Sequence, residues 1–185
     1  MPLALITGAS AGIGRSFAES LARRGYDLIL VARSTARIEA LGREIAERHD
    51  VRCESWTADI STDGGRESVA ERIAALPRLD LLVNNAGFAT TGKLVKIELG
   101  PQMEMLRLHV LAPMRLTRAA LPRMIEHGAG GIINVSSISG FIYGPGNVNY
   151  SATKAYLTSF TRGLDTELVG TGVRVQALCP GFTHT

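Results

Sequence analysis

Leu3-Ala-Leu-Ile6-Thr7-Gly8-Ala-Ser10-Ala-Gly12-Ile13-Gly14 opens the chain almost at Met1, and its reading decides the fold. The first four residues are an apolar run of the length and kind of a buried strand. The glycines then break the chain, and Ile13, Phe17, Ala18 and Leu21 fall on one stripe of a helix that Gly25 stops. A strand, a glycine-rich turn and a helix start form a phosphate site when they come in that order. Glycine lets the backbone approach a pyrophosphate, and the free N–H groups at the helix start point at the anion. The spacing is Gly-x3-Gly-x-Gly and departs from the common Gly-x-Gly-x2-Gly. Taken alone, these residues also describe a plain tight turn.

Working outward, Asp27-Leu-Ile-Leu-Val-Ala32 is a second buried strand, followed by Arg33 and Ser34. In dinucleotide folds an acidic residue near this point holds the ribose 2′-hydroxyl. Here Ala32 and Arg33 fill the place, and a guanidinium suits a 2′-phosphate. NADP(H) is therefore preferred over NAD(H), which stays possible if Arg33 is only a solvated loop residue. A helix from about Thr35 to His49 carries Ile38, Leu41 and Ile45 on one face, and a third strand spans Val51 to Thr57. Asp59 at its end suits either an adenine amino group or the cap of the next helix, which Val69, Ile73 and Leu76 mark. Asp80-Leu-Leu-Val83 is a fourth strand running into Asn84-Asn85-Ala86-Gly87. Amides at a strand end satisfy backbone groups where strands diverge, although an Asn-Gly turn would use the same residues.

One long helix is expected from about Gly100 to His127, bent by Pro113. Gly131-Ile-Ile-Asn-Val135 then reads as a fifth strand that delivers Ser137 to a sheet rim. The next helix, from about Val148 past Leu168, carries Tyr150 and Lys154 four apart on one face. Free tyrosine, with a pKa near 10, is a poor proton carrier at neutral pH. A nearby cation stabilises its phenolate and brings it toward a useful range. Tyr-x3-Lys by itself is also an ordinary helical pair. Only Tyr150 has the lysine, since Tyr143 has Asn147 and Tyr156 has Phe160 at the fourth position. Val173-Arg-Val-Gln-Ala177 reads as a sixth strand, before Cys179-Pro-Gly-Phe-Thr-His-Thr185.

Strands and helices thus alternate six times, which predicts a single α/β domain of Rossmann type, a doubly wound parallel sheet with helices on both faces. Ligands in such sheets bind outside the carboxyl ends of the strands, and the glycine turn, Asn84-Asn85, Ser137 and Pro180-Gly181 all follow strands. The composition agrees. The 185 residues are 45% hydrophobic and 20% charged, with a net charge of +3. The basic residues are scattered, so neither a nucleic-acid nor a membrane surface is indicated. Cys53 and Cys179 have no metal spacing and no disulfide framework. No apolar stretch is of spanning length and no secretion signal is read, so a cytoplasmic protein is the default expectation.

With these motifs in order, the chain resembles the short-chain dehydrogenase/reductase family. The match spans Thr7-Gly8-x3-Gly12-Ile13-Gly14, Asn84-Asn85-Ala86-Gly87, Ser137, Tyr150-x3-Lys154 and Pro180-Gly181 with Thr185. The resemblance implies an NADP(H)-dependent oxidoreductase acting on a small alcohol or carbonyl substrate. It makes Tyr150 the proton donor or acceptor, Ser137 the hydrogen-bond partner of the substrate oxygen, and Lys154 the holder of the nicotinamide ribose. Cofactor contacts are implied for Gly8, Ser10, Gly12, Ile13, Gly14, Arg33, Ser34, Asp59, Ile60, Asn85, Ala86 and Gly87. Tyr150, Lys154, Pro180, Gly181, Thr183 and Thr185 complete that set. A homodimer or homotetramer is implied as well. Phe88, Phe141, Ile142 and Tyr143 could line an apolar substrate pocket or be loop packing.

Two departures from the family pattern stand out. His109, in Leu108-His-Val-Leu-Ala112, occupies the place of an asparagine that completes a proton relay through water. Imidazole also relays protons, and a packed helical histidine is the other reading. Family members also run further, through a substrate lid and a seventh strand, so a longer protein is expected and the sixth strand is left on an open edge. A non-catalytic dinucleotide-binding or sensor protein on the same fold is the alternative function.

Overall fold

The apolar runs become strands because each can be buried on both faces, which a parallel sheet requires. In the computed structural model, which describes residues 1–142 and 144–181, they are β1 (Leu3–Thr7), β2 (Asp27–Ala32), β3 (Cys53–Thr57), β4 (Leu81–Asn84), β5 (Gly130–Val135) and β6 (Val173–Leu178). All five pairings are parallel, in the order β3-β2-β1-β4-β5-β6. The helices are α1 (Gly12–Ala22), α2 (Thr35–His49), α3 (Asp63–Ala75), α4 (Leu99–Leu106), α5 (Ala112–Glu126) and α6 (Val148–Glu167). Tyr143, Thr183 and Thr185 lie outside the described residues.

Side chains alternate across the strands. Ala4, Ile6, Leu28 and Leu30 therefore face one way and meet Ile38, Leu41 and Ile45 of α2 with Ala18 and Leu21 of α1. Leu5, Ile29, Val31 and Leu82 face the other way and meet Val69 and Ile73 of α3 with Leu116 and Met124 of α5. Each fully buried leucine or isoleucine contributes about 2 kcal/mol to this packing. The register sets Leu5 opposite Ile29 on one side and Leu82 on the other. Connections run outward from β1 to β3 and then return to β4 beside β1. The carboxyl ends of β1 and β4 therefore diverge at the switch point, which opens a crevice there.

β4 starts one residue later than expected, at Leu81, and α6 ends at Glu167, short of Leu168, while two elements differ more from the sequence expectation. β3 begins at Cys53 and not at Val51, because the Asp27 carboxylate takes the Arg52 N–H at 2.9 Å and its guanidinium as well. The long helix is not one α-helix bent at Pro113. A wide turn of π-helix, Arg107–Leu111, joins α4 to α5, and the Ala112 N–H reaches five residues back to the Arg107 carbonyl. Pro113 has no N–H for the His109 carbonyl and its ring crowds that position, so widening the turn accommodates it. This segment carries His109, which is buried.

α6 is docked by an unusual face. Its buried residues are Ser151, Thr153, Lys154, Leu157, Thr158 and Thr161, of which only Leu157 is apolar. Partners make that possible. The Asn134 amide donates to Thr161 Oγ1 at 2.9 Å, and the Asn84 amide donates to Asn134 Oδ1 and to Thr117 Oγ1 of α5. Ser136 Oγ bonds the Lys154 carbonyl and Thr158 Oγ1, each at 2.8 Å. A polar seam thus crosses from α5 over β4 and β5 to α6.

Candidate active site

The crevice at the switch point is a cleft of about 660 Å³. Its floor is the turn after β1. Gly8 has φ +65°, a left-handed conformation suited to glycine, and a Cβ there would lie 2.8 Å from the Ala86 backbone. Gly14 lies beneath this turn and not in the wall of the cleft. A Cβ on Gly14 would stand 2.2 Å from the Gly8 carbonyl oxygen, so its absence lets α1 pack onto the turn. α1 starts at Gly12 after Ala11, and no side chain caps it. The helix start, with Ser10, Gly12 and Ile13, therefore presents unpaired N–H groups to the cleft, the arrangement that binds anions, whereas Gly8 lines the cleft with its own N–H given to the Val31 carbonyl at 2.8 Å.

Thr7 and Asn85 hold this turn against β4. Thr7 Oγ1 accepts the Asn85 and Ala86 N–H groups at 3.0 Å each, and the Asn85 amide donates to the Thr7 and Gly8 carbonyls. The Asn85 amide hydrogens are thus spent on the protein. Its position in the wall, with Ala86 and Gly87, leaves carbonyl and backbone groups for a ligand.

At one end of the cleft stand Arg33, Ser34, Asp59 and Ile60. Ser34 precedes α2, and its hydroxyl does not cap the helix. Asp59 is not the cap of α3, because Thr62 takes that role and accepts the Gly65 N–H. Asp59 Oδ1 instead accepts the Ser61 N–H and hydroxyl, which fixes the carboxylate and leaves Oδ2 outside that turn. Arg33 reaches across to Glu104 of α4 at 3.5 Å, a solvated pair of little energetic weight. Arg37 also lines this end. Arg37 is not among the residues the sequence singled out; it stands in the first turn of α2, three residues after Ser34, and helix starts beside a phosphate-binding strand end are where a further basic group is worth reading.

The other end gathers Ser137, Tyr150, Lys154 and His109, with Phe88, Pro180 and Gly181. Ser137 Oγ accepts the Ser139 N–H at 3.1 Å as the cap of a short 3-10 turn, Ile138–Gly140, which leaves its own O–H free to donate into the cleft. Lys154 Nζ donates to the Val135 carbonyl at 2.8 Å and sits 5.6 Å from the centre of the Tyr150 ring. Burial pushes the Lys154 ammonium down to about 8, with Cys179 opposing the shift, so the group stays charged at neutral pH. His109 lies edge-on to Tyr150, with ring centres 5.8 Å apart. Burial, with the Lys154 charge adding to it, lowers its imidazole to about 3. Phe141 and Ile142 are exposed and lie outside the wall of this cleft. Among the described residues no His, Cys, Asp or Glu group is arranged to hold a metal, and no helix is long and apolar enough to cross a membrane.

Comparison with known proteins agrees with this architecture. A family model described as short chain dehydrogenase matches residues 2–185. An uncharacterized oxidoreductase of Bacillus subtilis (strain 168) is 38% identical over 183 residues, 98% of this chain and 75% of that protein. The 3-oxoacyl-[acyl-carrier-protein] reductase of Aquifex aeolicus (strain VF5) is 35% identical, covering 99% of this chain and 74% of its own length. A short-chain dehydrogenase from Sphingobium yanoikuyae, solved in complex with NADPH, superposes with a TM-score of 0.96 at 38% identity. That alignment covers 100% of this chain and 72% of the other.

Proposed function

Since the chain belongs to the short-chain dehydrogenase family, we propose that it is an NADP(H)-dependent oxidoreductase of alcohols or ketones in which Tyr150 moves the proton. The observation that carries this reading is the convergence of Ser137, Tyr150 and Lys154 at one end of a cleft whose floor is an uncapped helix start. A binding module has no use for a phenol, an ammonium and a hydroxyl that face one space.

The residues fit a dinucleotide. The α1 start takes a pyrophosphate, Asp59 Oδ2 accepts from an adenine amino group, and Arg33, Arg37 and Ser34 at the α2 start take a 2′-phosphate. When bound, the nicotinamide supplies or accepts the hydride at the substrate carbon. Ser137 donates its free O–H to the substrate oxygen and orients it. Tyr150 gives its proton to that oxygen in reduction and takes it in oxidation. The Lys154 ammonium faces the negative charge that Tyr150 carries once its proton has left. The NADPH-bound neighbour supports the cofactor assignment, and the two arginines support it independently.

Two measurements test the proposal. Titration with NADPH and separately with NADH, followed through the single tryptophan, Trp56, should show tight NADPH and weak NADH binding. Trp56 pairs in register with Val31, which lines the cleft beside the proposed adenine end, so binding there should change its emission. Tyr150→Phe should abolish turnover of a ketone panel and leave NADPH binding within about threefold (under ~1 kcal/mol). Turnover by that variant would defeat the mechanism, and equal affinity for both cofactors would defeat the 2′-phosphate assignment.

A further inference from the structure

His109 stands where the sequence allowed either a proton carrier or a packed ring, and its hydrogen bonds decide between them. The Phe88 N–H donates to Nε2 at 3.2 Å. A backbone N–H cannot accept, so Nε2 must present its lone pair. A neutral imidazole then carries its proton on Nδ1. Nδ1 lies 3.0 Å from Thr153 Oγ1, and the Thr153 hydroxyl donates to the Tyr150 carbonyl at 2.7 Å. Every proton in this chain has one direction: Phe88 N–H to Nε2, Nδ1–H to Thr153, Thr153 O–H to the Tyr150 carbonyl. Protonating the ring would set an Nε2–H against the Phe88 N–H. Neither nitrogen is left to exchange a proton with water or with the Tyr150 hydroxyl, and the ring meets Tyr150 edge to face.

We propose that His109 is a positioning residue, held as the neutral Nδ1–H tautomer, that clasps the first turn of α6 to the loop after β4 and carries no proton for the reaction. This rests on the reading of Tyr150 as the proton-transfer group. Three features of the molecule are shaped around the clasp. Gly87 makes room for it, since a Cβ there would lie 2.7 Å from Nε2. The π turn at Arg107–Leu111 carries the ring. The Asn147 side chain does not cap α6. The turn bearing Tyr150 is therefore held by the Thr153 link and by a bond from Asn149 to Gln102 Oε1 at 3.1 Å. The charged group facing the ring is Lys154, and the other titratable neighbour is Tyr150.

The test has a spectroscopic and a kinetic arm. In protein labelled with 15N-histidine, the signal missing from His109→Asn identifies His109 among the four histidines. It should show a protonated Nδ1 and a bare Nε2, unchanged between about pH 5 and about pH 8. A ring that titrates in that range, or the opposite tautomer, overturns the proposal. This arm needs no turnover, so a fixed tautomer in a silent protein would sink the oxidoreductase reading and leave the assignment of the ring standing. In the kinetic arm, Thr153→Val and His109→Ala should each lower kcat about tenfold or more, as loosened positioning does. KM for NADPH should stay within about twofold (~0.4 kcal/mol). Thr153→Ser, which keeps the hydroxyl, should restore kcat. The double variant should be no slower than the worse single one, because both break the same clasp. Losses that multiply, or a Thr153→Val enzyme with full kcat, overturn it.

Discussion

At the scale of single residues, the cleft separates groups open to a ligand from groups that shape its walls. Asn85 and Gly14 matter through the packing of the turn, whereas Arg33 is exposed and, among the described residues, its side chain is bound only to Glu104. A 2′-phosphate offers Arg33 a doubly charged partner in place of one carboxylate, and charge-assisted bonds to phosphate are the stronger kind. Arg33→Ala should therefore weaken NADPH binding by about tenfold to a hundredfold (~1.4–2.7 kcal/mol). NADH binding should move by no more than about threefold (~0.6 kcal/mol), since NADH brings no phosphate to that place. Fluorescence titration of both cofactors checks this. Parallel weakening of the two would mean that Arg33 supports the loop and not the phosphate. Replacing Arg37 as well should deepen the loss for NADPH alone.

At the scale of elements, the sequence was legible where a single period or a single spacing carried the information. Leu28-Ile-Leu-Val31 announces a strand buried on both faces, and the glycine turn announces the helix start beyond β1. α6 was harder to read, because its buried face is built of hydroxyls whose partners, Asn134 and Ser136, lie on and just after another strand. No local pattern reports a bond between residues 27 apart in the chain. The π turn was missed for a related reason: Pro113 signalled trouble, but whether a helix bends or widens depends on its packing partners. The seam has a measurable consequence. Asn134→Val removes the acceptor of the Asn84 amide and the donor to Thr161 together, within a buried layer. Leaving such groups unpaired costs about 1–3 kcal/mol each. The urea midpoint should fall accordingly, and kcat with it, since Tyr150 and Lys154 ride on the helix that the seam anchors. A variant of unchanged stability would show that the seam does not hold α6.

At the scale of the whole molecule, the site leaves its mark on how stability depends on pH. His109 has an ordinary value of 6.5 and is lowered to about 3 in the fold, first by burial and then by the Lys154 charge. Between those values the unfolded chain takes up a proton that the folded chain refuses, so acid favours unfolding. The stability that goes with the neutral ring is complete above pH 6.5. It drains as pH falls toward 3, by about 1.4 kcal/mol per unit for a single group. Lys154, lowered from 10.5 to about 8, acts in a separate window: its buried charge weakens the fold below pH 8, and that penalty lifts as pH rises toward 10.5. The two windows can be examined apart. Between pH 6.5 and pH 5 the native protein should lose about 2 kcal/mol more than His109→Asn, whose amide does not titrate. Urea unfolding of both proteins at those two pH values measures the difference, and subtraction removes the carboxylates they share. If the two lose stability equally, the ring is not kept neutral by the fold. A larger loss in the native protein would mean that the buried imidazole beside Tyr150 also sets the acid limit of the molecule.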